Sequence, residues 1–287
     1  MTDAKTAIPH RRQKVRQRLL WFMAGLLAPL LLFCGAVMLF EDRFIFFPSP
    51  YDEGDPAWEP EPLGAIDVFF EAEDGVRLHG WYGAHPSPRG VVLFCHGNAG
   101  DITYRADILT TLRDRTGVSV FLFDYRGYGR SEGNPSEKGL YADAKAARDW
   151  LAEKEGIAPK EIVLMGRSLG GGVATDLAIR DGARALILES TFTSIPDMAK
   201  ETMPWLPVRS LIRNRFETIE KIGQYEGPLF LSHGDADSIV PYQHGEILFE
   251  AAKSADPKIF YTISGGDHND QQPLDYYDRL AKFLDPL

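Results

Sequence analysis

Most of the chain alternates short apolar runs with longer stretches of helical periodicity. Runs of four to eight apolar residues are typical of buried strands, and apolar residues three or four apart are typical of helices. Strands are predicted at Ile66–Ala72, Leu78–Tyr82, Val91–Cys95, Val118–Asp124, Ile162–Met165, Ala185–Glu189, Leu229–Ser232 and Lys258–Ile263, and the clearest helices at Ser136–Glu155 and Gly170–Arg180. Apolar strands that alternate with helices predict an α/β fold with a mostly parallel sheet covered on both faces.

One apolar run is far longer than the rest. Residues 19–40 contain no charged side chain, and at about 1.5 Å per residue this helix reaches across a hydrocarbon core of roughly 30 Å. Five cationic residues precede it and Glu41 and Asp42 follow it, which predicts a single-pass protein with a cytoplasmic N-terminus and an extracytoplasmic domain, periplasmic in a Gram-negative cell. A cleaved signal peptide is disfavoured because no small-x-small site precedes Glu41. A lipoprotein at Cys34 is disfavoured because bulky Phe33 precedes the cysteine.

These patterns predict the organisation of the whole chain. We expect a basic tail at 1–18, a transmembrane helix at 19–40, a proline-rich linker at 41–62 whose aromatic start rests at the membrane interface, and one catalytic domain at 63–287. An insertion at about 191–226 predicts a small lid over the active-site edge, because loops of such folds cross that edge. Its candidate substrate-binding residues are Phe192, Trp205 and Leu206.

Charge and cysteine content limit the partners and cofactors. The net charge is −10, yet the first 40 residues carry six cations against Asp3, so the rest of the chain carries −15. An acidic domain repels phosphate backbones, which disfavours nucleic acid as a partner. Cys34 lies in the membrane run and Cys95 in a predicted buried strand, so they are not expected to pair. No metal-ligand spacing or nucleotide motif is present, and no metal or cofactor is predicted.

The candidate nucleophile is Ser168, in the sequence Gly-Arg-Ser-Leu-Gly after an apolar strand and before a glycine- and alanine-rich helix. A strand, a sharp turn and a helix form a nucleophile elbow, in which flanking glycines leave room for the projecting hydroxyl. The motif alone also fits a helix N-cap. Its partners further along the chain therefore have to decide between the two interpretations.

Two later strand ends offer an acid and a base in the order that the elbow requires. Asp237 follows the strand at 229–232 and His268 follows the strand at 258–263, so both are expected at the same sheet edge as Ser168. Asp235 is the competing acid, but its place directly after His-Gly favours a turn. Among the histidines only His268 is both late in the chain and flanked by a glycine turn. An imidazole activates the hydroxyl, and the carboxylate orients the imidazole.

The developing oxyanion needs two donors. The backbone N–H of Leu169, directly after the nucleophile, is the first candidate. The second is the N–H of Asn98, in the His-Gly-Asn-Ala-Gly loop after the strand at 91–95. The competing interpretation of this loop is a tight turn without a role in the reaction.

The segments HGNAG, DYRGYG, GRSLGGG, LESTFTS, HGDADSIVP and GGDHND, taken in order, resemble the motif series of the α/β-hydrolase superfamily. The chain is most similar to its bud-emergence-type branch, membrane-anchored serine hydrolases related to the serine aminopeptidase family. The resemblance implies the α/β-hydrolase fold and the roles given above for Ser168, Asp237, His268 and the two amides. It departs from the family pattern at Asp267, which places a second carboxylate beside the base.

The hypothesis is a serine hydrolase that cleaves ester or thioester bonds of small or lipid-like acyl substrates through an acyl-enzyme on Ser168. One alternative is a peptidase that releases N-terminal residues, which needs an acidic group for the free amine; Glu189 and Asp267 are the possible sources. A second is a catalytically idle, membrane-tethered binding module. Retention of all three triad candidates argues against the idle module.

Overall fold

The computed structural model describes residues 7–205 and 208–286. Its central sheet has eight strands, in the order β10-β9-β8-β7-β4-β6-β3-β2. The strands are β2 (Ile66–Glu71), β3 (Arg77–Gly83), β4 (Val91–Cys95), β6 (Ser119–Asp124), β7 (Val163–Arg167), β8 (Ala185–Glu189), β9 (Leu229–Gly234) and β10 (Lys258–Ile263), and a separate pair is formed by β1 (Phe47–Pro48) and β5 (Ala99–Gly100). Each predicted strand is present with its ends within two residues of those expected.

Only β3 runs against its neighbours, pairing antiparallel with both β2 and β6. The six strands from β10 to β6 in the sheet order, all except β3 and the edge strand β2, pair parallel with one another. Their carboxyl ends therefore lie at one edge, where the loops after β4, β7, β9 and β10 meet. That edge carries the residues singled out by the sequence.

Helices cover both faces of the sheet and bury two apolar clusters. The helices are α1 (Ala7–Phe40), α2 (Asp42–Ile45), α3 (Ala106–Thr116), α4 (Glu137–Glu155), α5 (Leu169–Asp181), α6 (Ile195–Thr202), α7 (Val208–Leu211), α8 (Thr218–Ile222), α9 (Gln243–Ala251) and α10 (Leu274–Leu284). Leu140 of α4, Val173 of α5 and Leu248 of α9 belong to one cluster. Leu109 of α3 and Leu280 of α10 belong to the other. The predicted α/β fold with a mostly parallel sheet covered on both faces is confirmed.

The N-terminal helix α1 contains the predicted apolar run. Residues Gln13–Phe40 form a helix long and apolar enough to cross a membrane. A signal sequence meets the same criterion, so length and composition do not by themselves distinguish the two.

The first residues of the segment predicted as a linker pack onto the domain. Ile45 and Phe46 are 7% and 4% exposed and belong to the same apolar cluster as α4 and α5. Glu41 is buried as well, and its carboxylate accepts the backbone N–H groups of Arg213 and Asn214. Apolar side chains that directly follow a membrane run resemble interface anchors, which is why the sequence pattern favoured an exposed linker.

Candidate active site

Ser168 occupies a strained turn between β7 and α5. Its backbone has φ 53° and ψ −119°, a region that L-residues avoid unless the surrounding structure enforces it. The backbone N–H of Ser168 donates to the carbonyl of Glu189 at 2.9 Å, and the Thr191 hydroxyl donates to the carbonyl of Ser168 at 2.7 Å. Neighbouring β8 and the segment after it thus fix the turn from one side.

The glycines around Ser168 are required by close backbone contacts. A Cβ on Gly166 would lie 2.2 Å from the carbonyl oxygen of Gly170, and one on Gly170 would lie 1.9 Å from that of Cys95. Neither backbone contact can relax by rotating a side chain. The turn therefore has the geometry expected of a nucleophile elbow.

Asp237 and His268 are brought together by the loops after β9 and β10. The Nδ1 atom of His268 lies 2.8 Å from Oδ2 of Asp237. The other carboxylate oxygen accepts the backbone N–H groups of Ile239 and Val240 at 2.9 and 2.8 Å. Burial would raise the pKa of Asp237, but hydrogen bonding from His233 and His268 holds that pKa well below its usual range. The carboxylate is thus ionised and positioned to orient the imidazole.

The competing carboxylates have structural partners. Asp235 accepts the backbone N–H of Gly265 at 2.6 Å and thereby links the two loops. Asp267 accepts the N–H groups of Ser238 and His268, both at 2.7 Å, and these bonds lower its pKa. Neither carboxylate is bonded to the imidazole of His268. The geometry therefore favours Asp237 as the partner of the base.

Ser168 and His268 line the same open cleft, whose volume is about 620 Å³. Gly97 and Asn98, in the loop after β4, line it opposite the elbow. This loop is held in place by the carbonyl of Asn98, which accepts the backbone N–H of Phe47 at 2.9 Å and the hydroxyl of Tyr128 at 2.8 Å. Because these two bonds fix the carbonyl of Asn98, we take its backbone N–H as the candidate donor to the cleft.

The predicted substrate-binding residues are not in the cleft lining. Phe192 is 4% exposed and packs in the core, because the chain turns inward directly after β8. Trp205 is 65% exposed and its ring lies 6.2 Å from that of Phe33 in α1. Leu206 lies outside the described residues. The lid interpretation is therefore corrected for the first two residues: one is a core residue and the other faces the N-terminal helix.

Asp124 and Arg126 carry opposite charges and lie two residues apart in the chain, yet they do not pair with each other. Arg126 binds Asp143 and Asp74, each at 2.8 Å. Asp124 is fully buried between His79 and His96, beneath the loop that carries Asn98. Asp124 is the last residue of β6, and its two carboxylate oxygens lie near these histidines rather than near Arg126.

Two cleft residues escaped the sequence analysis altogether. Arg105, at the start of α3, and Arg167, the last residue of β7, both line the cleft with Ser168. Their side chains hold its walls: Arg105 donates to the carbonyl of Ala99 at 2.8 Å, and Arg167 donates to the carbonyl of His268. The position of Arg167 directly before the nucleophile was the one feature of the sequence that could have predicted its place in the cleft.

The fold and these motifs have counterparts among known proteins. A family model described as serine aminopeptidase, S33, matches residues 86–216, which include Ser168. An uncharacterised protein of Mycobacterium tuberculosis is 42% identical over 247 residues, which span 84% of this chain and 86% of the relative. An α/β hydrolase domain-containing protein of Arabidopsis thaliana is 36% identical over 222 residues, 71% of this chain and 72% of that protein. The chain belongs to the α/β-hydrolase superfamily.

Solved structures of this superfamily share the architecture. An esterase of Pyrococcus furiosus superposes with a TM-score of 0.68 at 23% identity, covering 84% of this chain and 98% of the esterase. A monoacylglycerol lipase of Paleococcus ferrophilus has a TM-score of 0.56 at 20% identity, covering 73% and 98%. At these identities the likeness concerns the fold. The family match and the fold together support hydrolase chemistry for this α/β hydrolase.

Proposed function

We propose that this α/β hydrolase is a membrane-anchored serine hydrolase that cleaves ester or thioester bonds through an acyl-enzyme on Ser168. The observation that carries the proposal is the shared cleft: the strained Ser168 and the Asp237-linked His268 line one cavity at the carboxyl edge of the sheet. Hydrolases of this type need a nucleophile, a base and an orienting acid in that arrangement.

In the proposed reaction, Oγ of Ser168 attacks the acyl carbonyl carbon while Nε2 of His268 takes the hydroxyl proton. The amides of Asn98 and Leu169 stabilise the negative charge on the carbonyl oxygen. When the carbon–oxygen or carbon–sulfur bond breaks, the leaving alcohol or thiol receives that proton from His268. Water then gives its proton to His268, attacks the acyl-enzyme and releases the acid, and Ser168 recovers its proton.

A peptidase is the second candidate because the matching family model carries the serine aminopeptidase description. Release of N-terminal residues would need an accessible carboxylate for the substrate amine. Asp267 is already bonded to backbone N–H groups, and Glu189 is 2% exposed with a pKa raised by burial. These environments favour acyl ester chemistry over peptide cleavage.

The first test is labelling by a fluorophosphonate probe. We expect the full chain in detergent to be labelled and Ser168→Ala to be unlabelled. Ser190→Ala is the matched control, because Ser190 also follows a strand with a positive φ, 44°, yet does not line the cleft. Absence of labelling in the folded wild-type protein would favour an idle binding module. A panel of p-nitrophenyl esters, palmitoyl thioesters and aminoacyl amides then separates esterase, thioesterase and peptidase.

The membrane part of the proposal has its own test. A reporter that is active only outside the cytoplasm, fused after Glu41, is expected to be active because cations precede the apolar helix and acids follow it. Cytoplasmic reporter activity would overturn the orientation. Recovery of the protein without residues 1–40 would instead show that the helix is a cleaved signal.

A further inference from the structure

Two arginine side chains line the cleft that contains the proposed nucleophile. Arg167 precedes Ser168 directly, and Arg105 ends a short 3-10 helix and directly precedes α3. Both side chains are half-buried. A substrate whose carbonyl reaches Ser168 lies in the cleft that these guanidinium groups line.

Neither guanidinium has a carboxylate partner in the described part of the chain. Arg105 donates from Nη2 to the carbonyl of Ala99 at 2.8 Å. Arg167 donates from Nη2 to the carbonyls of His268 and Asp270, the latter at 3.4 Å. A guanidinium carries five N–H donors on three nitrogens. In each arginine, only one nitrogen is engaged, and donors on Nε and Nη1 are left for a ligand.

The positive charges of Arg105 and Arg167 repel each other. Burial and the positive charge of Arg167 lower the pKa of Arg105, and the carboxylates of Asp101, Asp107 and Asp124, none within ion-pair distance, offset this only in part. Elsewhere in this acidic protein buried guanidiniums are neutralised, as Arg126 is by Asp143 and Asp74. Two unpaired cations beside one reactive hydroxyl are therefore typical of an anion site.

Among the described residues, none of the acidic side chains that line the cleft forms an ion pair with Arg105 or Arg167. Asp114 is bound to Arg113 at 2.8 Å, and Asp270 accepts the backbone N–H of Asp267 at 2.9 Å. Burial raises the pKa of Glu189, although Arg167 and Tyr276 act in the opposite direction. The two remaining charges, Asp107 and Arg115, lie on the exposed surface of α3 and are of opposite sign.

Part of the rim of the cleft is apolar by contrast. Tyr104, Ile239 and Leu274 line it with exposed fractions of 65%, 52% and 62%. Exposed large apolar side chains grouped around a cavity are typical of ligand or lipid contact. Together with the two guanidiniums they offer one surface for an acyl chain and another for an anionic group.

We propose that Arg105 and Arg167 form an anion subsite, and that the ester or thioester cleaved at Ser168 carries a phosphate or carboxylate group near the scissile carbonyl. This inference rests on the proposed serine hydrolase function and names the substrate class of the same site. The guanidiniums bind the anionic group while the apolar rim accepts the acyl chain.

The test compares substrates that differ only in the anionic group. The phosphate pair is 1-butanoylglycerol and 1-butanoylglycerol 3-phosphate, and the carboxylate pair is diethyl glutarate and monoethyl glutarate. We expect kcat/KM of the full chain to be about tenfold to a hundredfold higher for the charged member of at least one pair, the size of one or two charge-assisted hydrogen bonds. Preference in only one pair identifies phosphate or carboxylate as the source.

Arginine variants separate binding from loop positioning. In Arg105→Gln and Arg167→Gln the ratio of charged to neutral kcat/KM is expected to fall toward one. Arg180→Gln is the matched control: it removes a positive charge from α5, the helix that follows Ser168, but Arg180 binds Asp176 and Asp181 and does not line the cleft. Its ratio is expected to be unchanged. If the variants lower kcat/KM equally for the charged and the neutral ester, the arginines only position loops and the inference is overturned.

A binding measurement covers the case in which none of these esters is hydrolysed. Inorganic phosphate or glutarate in the subsite is expected to slow fluorophosphonate labelling of wild-type Ser168 at least threefold and to leave labelling of Arg105→Gln unaffected. Labelling that no anion slows, together with equal or absent turnover of charged and neutral esters, overturns the anion subsite and leaves the serine hydrolase standing. Complete absence of labelling overturns the proposed function itself.

Discussion

At the scale of single residues, environment separates the carboxylates that are available for chemistry from those that hold loops. Asp237 accepts hydrogen bonds from backbone N–H groups at one carboxylate oxygen, and its other oxygen is hydrogen-bonded to the imidazole of His268. Asp235, two residues earlier, accepts a hydrogen bond from the backbone N–H of Gly265 in the loop that carries His268. Similar sequence positions thus lead to different expected effects on substitution.

We predict that Asp237→Asn lowers kcat of ester hydrolysis about 10³- to 10⁴-fold, because the amide no longer stabilises the imidazolium or fixes its tautomer. The carboxamide oxygen still accepts the amides of Ile239 and Val240, so the fold is retained. Steady-state kinetics with a p-nitrophenyl ester measures the effect, and Asp235→Asn is the control. Comparable losses in the two variants would contradict the assignment of Asp237 as the acid.

The buried Asp124 leads to a prediction about pH. Burial raises its pKa to about 6, while His79 nearby acts in the opposite direction. Between about pH 4 and pH 6 the folded state therefore binds a proton that the unfolded state has lost, and stability falls as the pH rises through this window. A difference of about two pKa units corresponds to roughly 3 kcal/mol.

Asp124→Asn should flatten that fall, since the neutral carboxamide still accepts the backbone N–H of Ile102, as Asp124 does at 3.0 Å. The free energy of unfolding in urea at pH 4, 5, 6 and 7 measures the slope for the full chain in detergent. The exposed Asp278→Asn is the control. A slope unchanged by Asp124→Asn would show that this carboxylate does not titrate in the window.

At the scale of elements, the contact between α5 and β4 determines the elbow. Gly170, in the first turn of α5, lies so close to β4 that a Cβ would lie 1.9 Å from the carbonyl oxygen of Cys95 and 2.6 Å from that of His96. Both contacts are with backbone at the start of the Asn98 loop. The same close approach that permits the turn therefore also places the proposed oxyanion donors opposite the nucleophile.

We expect Gly170→Ala to lower the free energy of unfolding by about 3 kcal/mol or more, because neither backbone can move without breaking sheet pairing. Gly90→Ala is the control, as its Cβ would meet only the flexible Arg184 side chain at 3.5 Å. Urea unfolding of both variants in detergent measures the difference. A cost for Gly170→Ala no larger than for Gly90→Ala would contradict the packing argument.

The elements were predictable from sequence to the extent that local pattern determines them. Buried strands are recognisable in the sequence as apolar runs. The carboxyl ends of parallel strands lie at one edge of the sheet, which predicted that Ser168, Asp237 and His268 lie at the same edge. Trp205 and Phe192 were misplaced because an apolar residue in an insertion fits a pocket, the core or a helix contact equally well. Arg105 belongs to no recognisable sequence motif, so its place in the cleft lining became evident only from the folded structure.

At the scale of the whole molecule, the segment after the apolar helix connects the N-terminus to the proposed oxyanion loop. Phe47 donates its backbone N–H to the Asn98 carbonyl at 2.9 Å, and Nδ2 of Asn98 donates to the Ile45 carbonyl at 3.0 Å. The β1 and β5 strands continue this contact through Pro48 and Gly100. We therefore expect residues 41–48 to belong to the catalytic unit, although the sequence pattern favoured a linker there.

Two truncated proteins test this connection. A chain that begins at residue 41 keeps the segment, whereas one that begins at residue 49 loses the burial of Ile45 and Phe46, each worth about 1.5–3 kcal/mol. We expect the shorter protein to have a lower Tm and a kcat reduced tenfold or more, because the Asn98 amide loses the contacts that hold it toward the developing oxyanion.

The double variant Ile45→Ala/Phe46→Ala in the longer protein separates the two effects: it removes the apolar burial but retains the backbone hydrogen bonds to Asn98. Its Tm should fall with that of the shorter protein while its kcat, measured well below Tm, stays near that of the longer one. Equal kcat in both truncated proteins would show that the oxyanion loop holds its conformation without the N-terminal segment. A kcat of the double variant as low as that of the shorter protein would attribute the loss to packing, because only packing is changed in it.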